Sequence, residues 1–351
     1  MRLSLALGLA IGLVGCSGTE PPDPAELIFS PKLSTNNYFT GYPALQQPAP
    51  GVLPYSVAST LYADGAGKYR FLVVPSGKQI HFDPTARWGF PDGTTIVKTF
   101  YYDLDGRDPK AGRRLIETRL LRYQGGNWYG VTYVWNDAQT DADRYLPGRA
   151  VHVDRLDETG QPAPIDYQVP STSQCKSCHG QQKRIVPLGP RTRQMNRVRG
   201  DGGGSENQIT WFQSLGLLDG AVPDPATLDQ LADPQGKAPI EARARAYLDA
   251  NCAHCHNEDG YASSTALRLE VETQVPIDLG VCRHPVAAGM ASGGFLYDVE
   301  PGHPEQSILV YRMKSNDPKT KMPQLPLTTV DRFGTQLVSD WIAGLGGGPC
   351  R

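Results

Sequence analysis

The chain has 351 residues and a formal net charge of −2, which argues against a nucleic-acid partner. Its 38 glycines and 30 prolines indicate many turns and loops and exclude a bundle of long helices. The length suits two or three small domains.

The amino terminus predicts export. Arg2 precedes an apolar run over 3–14 that is too short to span a bilayer as a mature helix, so we expect a signal peptide over 1–15. The run ends in Leu13-Val14-Gly15-Cys16, which resembles the lipobox of bacterial lipoproteins. That resemblance implies lipid attachment at Cys16; an ordinary signal peptide is the alternative. Because Ser17 stands where Asp would imply inner-membrane retention, we expect the periplasmic face of the outer membrane or the cell surface.

Residues 16–50 are rich in Pro, Ser, Thr and Asn and predict a tether. Strand patterns follow over 69–74, 78–82, 94–102, 114–123 and 127–135, with a hairpin turn at Gly125-Gly126. We therefore expect an antiparallel β domain over 51–160, a sandwich or barrel, and hence an α+β fold with the helices later in the chain.

Two Cys-x-x-Cys-His motifs carry the chemistry. They are Cys175-Lys176-Ser177-Cys178-His179 and Cys252-Ala253-His254-Cys255-His256. Each offers two thiols for thioether bonds to haem vinyl groups and an adjacent imidazole for the iron. The motifs predict two covalently bound haem c groups, with His179 and His256 as axial ligands. A zinc site built from four Cys and two His is the alternative. His254 is expected to face solvent.

The first motif is expected in a loop, within a haem-binding segment over 161–235. Met195 is our first choice for the second axial ligand of this iron, with His152, His81 or an open position as alternatives. Residues 183–199 carry six cations and no acid, which could pair with haem propionates, dock an acidic partner, or form a solvated loop. The cations are Lys183, Arg184, Arg191, Arg193, Arg197 and Arg199.

Helices are predicted over 207–217, 239–251, 307–313 and 330–345. The second of them leads directly into the second motif, Lys321-Met322-Pro323 follows on a Pro-rich loop, and a final helix contains Trp341. In this order the segment 236–351 resembles a class I cytochrome c domain. The resemblance implies that Met322 supplies the second axial ligand opposite His256, which suits electron transfer.

Two of the seven cysteines, Cys282 and Cys350, belong neither to the haem motifs nor to the lipobox. In an oxidising compartment such a pair is usually a disulfide. Two free thiols are the alternative.

Over about 55–350 the chain also resembles a family of functionally uncharacterised bacterial dihaem c-type cytochromes. The resemblance rests on LYAD (61–64), WGFPDGT (88–94), ETRLL (117–121), YVWN (133–136), PLGPR (187–191), 251–257 and Tyr297-Asp298. It implies an electron carrier that serves periplasmic or outer-membrane redox proteins. The alternative is a dihaem peroxidase or oxidase with an open first haem. A third possibility is that the β domain binds a ligand or partner.

Overall fold

A computed structural model describes residues 28–181, 184–200, 204–346 and 350; for 172, 173, 175, 176 and 181 it describes the backbone alone. The protein has a mixed α+β fold, which confirms the predicted class. Cys16 and the predicted signal peptide lie outside the described residues. Within the described ranges, no helix is long and apolar enough to cross a membrane.

Six antiparallel strands form a single sheet in which chain neighbours are also sheet neighbours. They are β1 (Val52–Pro54), β2 (Gly67–Val73), β3 (Thr95–Asp103), β4 (Arg113–Gln124), β5 (Asn127–Trp135) and β6 (Ala142–Arg144). The sheet is therefore an open meander with β1 and β6 at its described edges, and the predicted sandwich or barrel is wrong. The predicted hairpin at Gly125-Gly126 is confirmed: both glycines have positive φ, 58° and 78°, as a two-residue turn between twisted strands requires.

One face of the sheet carries Phe71, Val97 and Tyr133, and we call it the outer face. Residues 28–49 cover it. Phe29, Leu33 and Tyr38 are buried there against strand residues such as Phe71 and Tyr133. The predicted tether over 16–50 is therefore wrong from residue 28 onward, because these apolar side chains provide the cover that the sheet needs.

The opposite face, which we call the inner face, carries Leu72, Ile96 and Phe100 and has two separate apolar clusters. A short ribbon of β7 (Arg149–Val153) and β8 (Ile165–Val169) packs on one end, where Tyr167 meets Phe100 and Tyr102. The β region thus extends past the predicted boundary at 160. At the other end, α2 (Thr192–Met195) and α3 (Gln208–Ser214) contribute Met195, Ile209 and Phe212. The inner face between these clusters borders a cavity.

The first motif lies on α1 (Thr172–His179), not in the predicted loop, and is followed by a two-strand turn of β9 (Gly180–Gln181) and β10 (Arg184–Ile185). The expected strand over 78–82 is also wrong, since Ile80 and His81 make only isolated bridges.

The C-terminal region contains α4 (Ile240–Asn251), α5 (Ile308–Met313) and α6 (Arg332–Ala343), close to the predicted helices. Helices α4 and α6 share one apolar core that includes Leu248, Val338 and Trp341. The Tyr247 hydroxyl donates to Asp331 Oδ2 at 2.9 Å, and Gly334 lets the Tyr247 ring lie directly on α6.

Buried polar contacts join the C-terminal region to the β domain. Asp64 accepts hydrogen bonds from the backbone N–H groups of Thr328 and Thr329, and the Tyr62 N–H donates to Asn251 Oδ1 at 2.6 Å. The predicted Cys282–Cys350 disulfide is present, with Cα atoms 5.2 Å apart.

Candidate functional site

The two motifs meet at one point. The Sγ atoms of Cys178 and Cys255 and a ring nitrogen of His254 all lie within 4.8 Å of one another. The Cys255 thiol also donates to the carbonyl of Ser177 at 3.3 Å, across 78 residues of chain. Helix α1 delivers the first motif to this point, and the C-terminal end of α4 delivers the second.

The motif histidines are held as neutral rings. Burial lowers the pKa of His179 to about 4, and burial together with Arg312 lowers the pKa of His256 to about 4. In a neutral ring, His179 Nδ1–H donates to the Val186 carbonyl at 2.9 Å and leaves Nε2 as the free acceptor.

The same assignment follows for His256. Thr265 Oγ1 donates its hydrogen to the Ala262 carbonyl, so it can accept one from His256 Nδ1 at 3.3 Å. A second hydrogen bond of this kind fixes the tautomer of a metal-binding histidine and leaves Nε2 available. Both motif histidines are therefore arranged as neutral nitrogen donors.

The two facing thiols differ sharply. The pKa of Cys178 is lowered to about 4, first by the hydrogen bond with Cys255 and then by His254. That same contact raises the pKa of Cys255. Of the two thiols, Cys178 therefore ionises more readily. The Cys175 side chain lies outside the described part of the structure.

The first cavity has a volume of about 820 Å³ and lies between the inner sheet face and the first motif. Cys178, His179 and His254 line one side, and Ile96, Lys98 and Phe100 are among the sheet residues that line the other. This volume lies within the range of cofactor pockets.

None of the three side chains expected opposite His179 borders this cavity. Met195 is fully buried among the apolar residues of α3, and its sulfur accepts from Gln208 Nε2 at 3.3 Å. His152 is a surface residue that pairs with Asp166 and Asp154, and His81 pairs with Asp219. The structure therefore does not bring Met195 to the first cavity, and its core neighbours enclose it.

The second cavity brings the second motif and Met322 together. Cys252, Cys255 and His256 line it, as does Met322 on the loop before α6. The Met322 N–H donates to the Arg312 carbonyl at 3.0 Å, and Lys321 Nζ donates to the Leu327 carbonyl at 2.7 Å, which fixes this loop. The cavity volume is about 200 Å³, below the usual range for ligand pockets, so a haem here would keep an edge outside it.

The basic stretch over 183–199 divides among several roles. Arg191 and Arg193 line the first cavity, but Arg193 already pairs with Asp249 at 2.8 Å and with Glu272. Arg197 donates to the Val57 carbonyl, and Arg199 lies 3.6 Å from the centre of the Trp211 ring. Lys183 lies outside the described residues.

Sequence reasoning missed three features of the site. His254 does not face solvent; it lines both cavities, and its Nδ1 is buried without a hydrogen-bond partner in the described part of the chain. Lys98 and Arg70 also line the first cavity from inside strands. The available signal for Lys98 and Arg70 was a charged residue inside a predicted strand. That signal does not indicate which part of the protein the charged side chain faces.

The donors fit haem attachment. Cys178 and the neutral imidazole of His179 line the first cavity, which also has cations for propionates, and Cys252, Cys255 and His256 line the second. The Cys178, His254 and Cys255 group would equally suit zinc, which binds thiolate and imidazole. Comparisons with protein families, curated proteins and solved structures find no match to this chain.

Proposed function

We propose that this protein is a dihaem c-type cytochrome that carries electrons. Cys175, Cys178 and His179 would hold one haem in the first cavity. Cys252, Cys255 and His256 would hold the other in the second cavity, with Met322 as the opposite ligand. The haems supply the redox chemistry, and the protein supplies attachment, insulation and tuning.

The observation that carries this proposal is the meeting of the motifs between two separate cavities. Cys178 and Cys255 are each the second cysteine of a motif, and their sulfur atoms lie within 4.8 Å. Thioether bonds at these positions would bring the edges of two haems close together, and each haem would extend into its own cavity. Such an arrangement suits electron transfer between the haems.

The C-terminal region supports a cytochrome c-like domain as part of this proposal. Helix α4 leads into the motif, α6 packs against α4, and Met322 and His256 line one cavity. Ligation by His and Met raises the reduction potential and leaves no vacant position on the iron.

We further propose that the protein is exported and lipid-anchored through Cys16, with periplasmic or outer-membrane redox proteins as partners. The support is the amino-terminal sequence, which ends its apolar run at Leu13-Val14-Gly15-Cys16. The anchor is tested by labelling with a radioactive fatty acid. Wild type should incorporate the label, and Cys16→Ser should not.

Haem counting tests the central proposal. The full chain, expressed in a bacterium that attaches haem in the periplasm, should contain two haems. The Cys175→Ser/Cys178→Ser and Cys252→Ser/Cys255→Ser variants should each retain one. A colourless wild type that contains zinc would refute the proposal and support the zinc site.

The second axial ligand is tested separately. In Met322→Ala the weak charge-transfer band near the red end of the oxidised spectrum should disappear, and the potential of that haem should fall. Met290→Ala is the matched control, because the Met290 side chain is 96% exposed. Retention of the band and potential in Met322→Ala would exclude Met322.

A dihaem peroxidase is the second candidate. The burial of Met195 favours it, since among the described residues no methionine lines the first cavity and an open iron can bind peroxide. Rapid formation of a high-valent spectrum when peroxide is added to the half-reduced protein would support the enzyme. The carrier proposal predicts no such spectrum.

A further inference from the structure

The inner sheet face carries a row of three cations across adjacent strands. Arg70 on β2 is directly opposite Lys98 on β3, and Lys98 is directly opposite Arg119 on β4. All three line the first cavity. Like charges in directly opposed positions destabilise a sheet, so this row requires a compensating anion.

The row on one side is apolar, and the row on the other side is mixed. On one side Leu72, Ile96 and Leu121 are in register, and on the other Phe100 faces Lys68 and Glu117. All three cations are partly exposed toward the cavity, which is large enough to hold a ligand. The cation row is therefore accessible to an anion in the cavity.

The described residues compensate only part of this charge. Glu117 binds Arg119 through both carboxylate oxygens, at 2.5 and 2.9 Å, and also accepts from the Tyr167 hydroxyl. Within the described ranges, the Arg70 guanidinium has no hydrogen bond or ion pair. The Lys98 amine has only the Phe100 ring, 4.8 Å from its centre. Among the described residues, Arg70 and Lys98 thus have no hydrogen bond or ion pair with a carboxylate, although the charge of Glu117 also acts on Lys98.

Seven acids line the cavity, and none of them has a hydrogen bond or ion pair with Arg70 or Lys98 among the described residues. Asp249 and Glu272 pair with Arg193, and Asp64 accepts from Thr328 and Thr329. Burial lowers the pKa of Lys98 well below its ordinary value, with Arg70 and Arg119 contributing, as expected for a cation beside uncompensated like charge.

We propose that the row Arg70, Lys98 and Arg119 binds the two propionate carboxylates of the haem attached to the first motif. This inference rests on the proposed function, which puts that haem in the cavity. The charges match, because Arg70 and Lys98 have no carboxylate partner among the described residues and a haem has two propionate carboxylates. Guanidinium and ammonium groups are suitable partners for carboxylates at such positions.

The test is a redox titration of the full haem-loaded protein, which should give one wave for each haem. Arg70→Met and Lys98→Met should each lower the potential of the first haem and leave the second unchanged, because removal of a nearby cation favours the ferric state. Arg70→Lys should retain most of the potential. Lys110→Met, which removes an exposed charge outside the cavity, is the control and should shift neither wave.

A second measurement compares the effect of Lys98→Met on stability without and with the first haem, and the two effects should have opposite signs. Without the first haem, in the Cys175→Ser/Cys178→Ser background, Lys98→Met should stabilise the protein against urea because it removes repulsion within the row. In the haem-loaded protein the same change should destabilise it.

The outcomes separate the two proposals. A wild type without haem would overturn both. Two haems with both potentials unchanged in Arg70→Met and Lys98→Met would overturn this inference alone. A change of the first iron from low to high spin in Lys98→Met would also overturn it, since Lys98 would then bind iron and not a carboxylate. Loss of the first haem in Arg70→Met with retention in Arg70→Lys would support it, because these variants differ in charge.

Discussion

Removal of the Cys282–Cys350 disulfide should destabilise the C-terminal region by about 4 kcal/mol. The bond closes a loop with a sequence separation of 68 residues, and the entropy lost by the unfolded chain on closing such a loop gives this magnitude. The loop contains Met322 and helices α5 and α6, so the cost falls on the second cavity and its surroundings.

The measurement is urea unfolding of the Cys282→Ser/Cys350→Ser variant against wild type. Tryptophan fluorescence follows the unfolding, and Trp341, one of the five tryptophans, is buried inside the closed loop. Wild type treated with a thiol reductant should lose the same stability, because thioether bonds to haem are not reduced. A difference below about 1 kcal/mol in both comparisons would refute the entropic reasoning.

Two further changes test packing and charge. Gly334→Ala should lower the free energy of unfolding by about 1–3 kcal/mol, because its Cβ would overlap the Tyr247 ring. Gly346→Ala is the control and should be neutral, because its Cβ meets no neighbouring atom. Equal effects of the two changes would contradict the packing of α4 on α6. Burial, with Arg70 and Arg119, lowers the pKa of Lys68 from 10.5 to about 7. The unfolded chain therefore binds the proton more tightly, and stability should rise as the pH increases from about 7 to about 10. Lys68→Met should raise stability at pH 7, and the urea midpoint of this variant should depend less on pH than that of wild type. An unchanged dependence of the midpoint on pH would show that Lys68 is solvated.

Local patterns in the sequence predicted most of the secondary structure. The alternation in 127–135 and the glycine pair before it predicted β5 and its hairpin, and the apolar period in 239–251 predicted α4. These signals are short-range, since backbone hydrogen bonds and turn conformations depend on near neighbours. The short edge strands β1 and β6 were missed because three residues carry little periodicity.

The sequence by itself determined the donor atoms: two pairs of thiols, the histidines beside them, and a remaining cysteine pair that forms a disulfide. Only the tertiary structure decided which side chains face one another. Met195 could equally have been a ligand or part of the core, and the chain packs it against α3. Arg70, Lys98 and Arg119 form a row only through strand register, and Cys178 meets Cys255 only through folding of distant segments. Such contacts depend on how apolar faces pack, and a single stretch of sequence does not specify its partner.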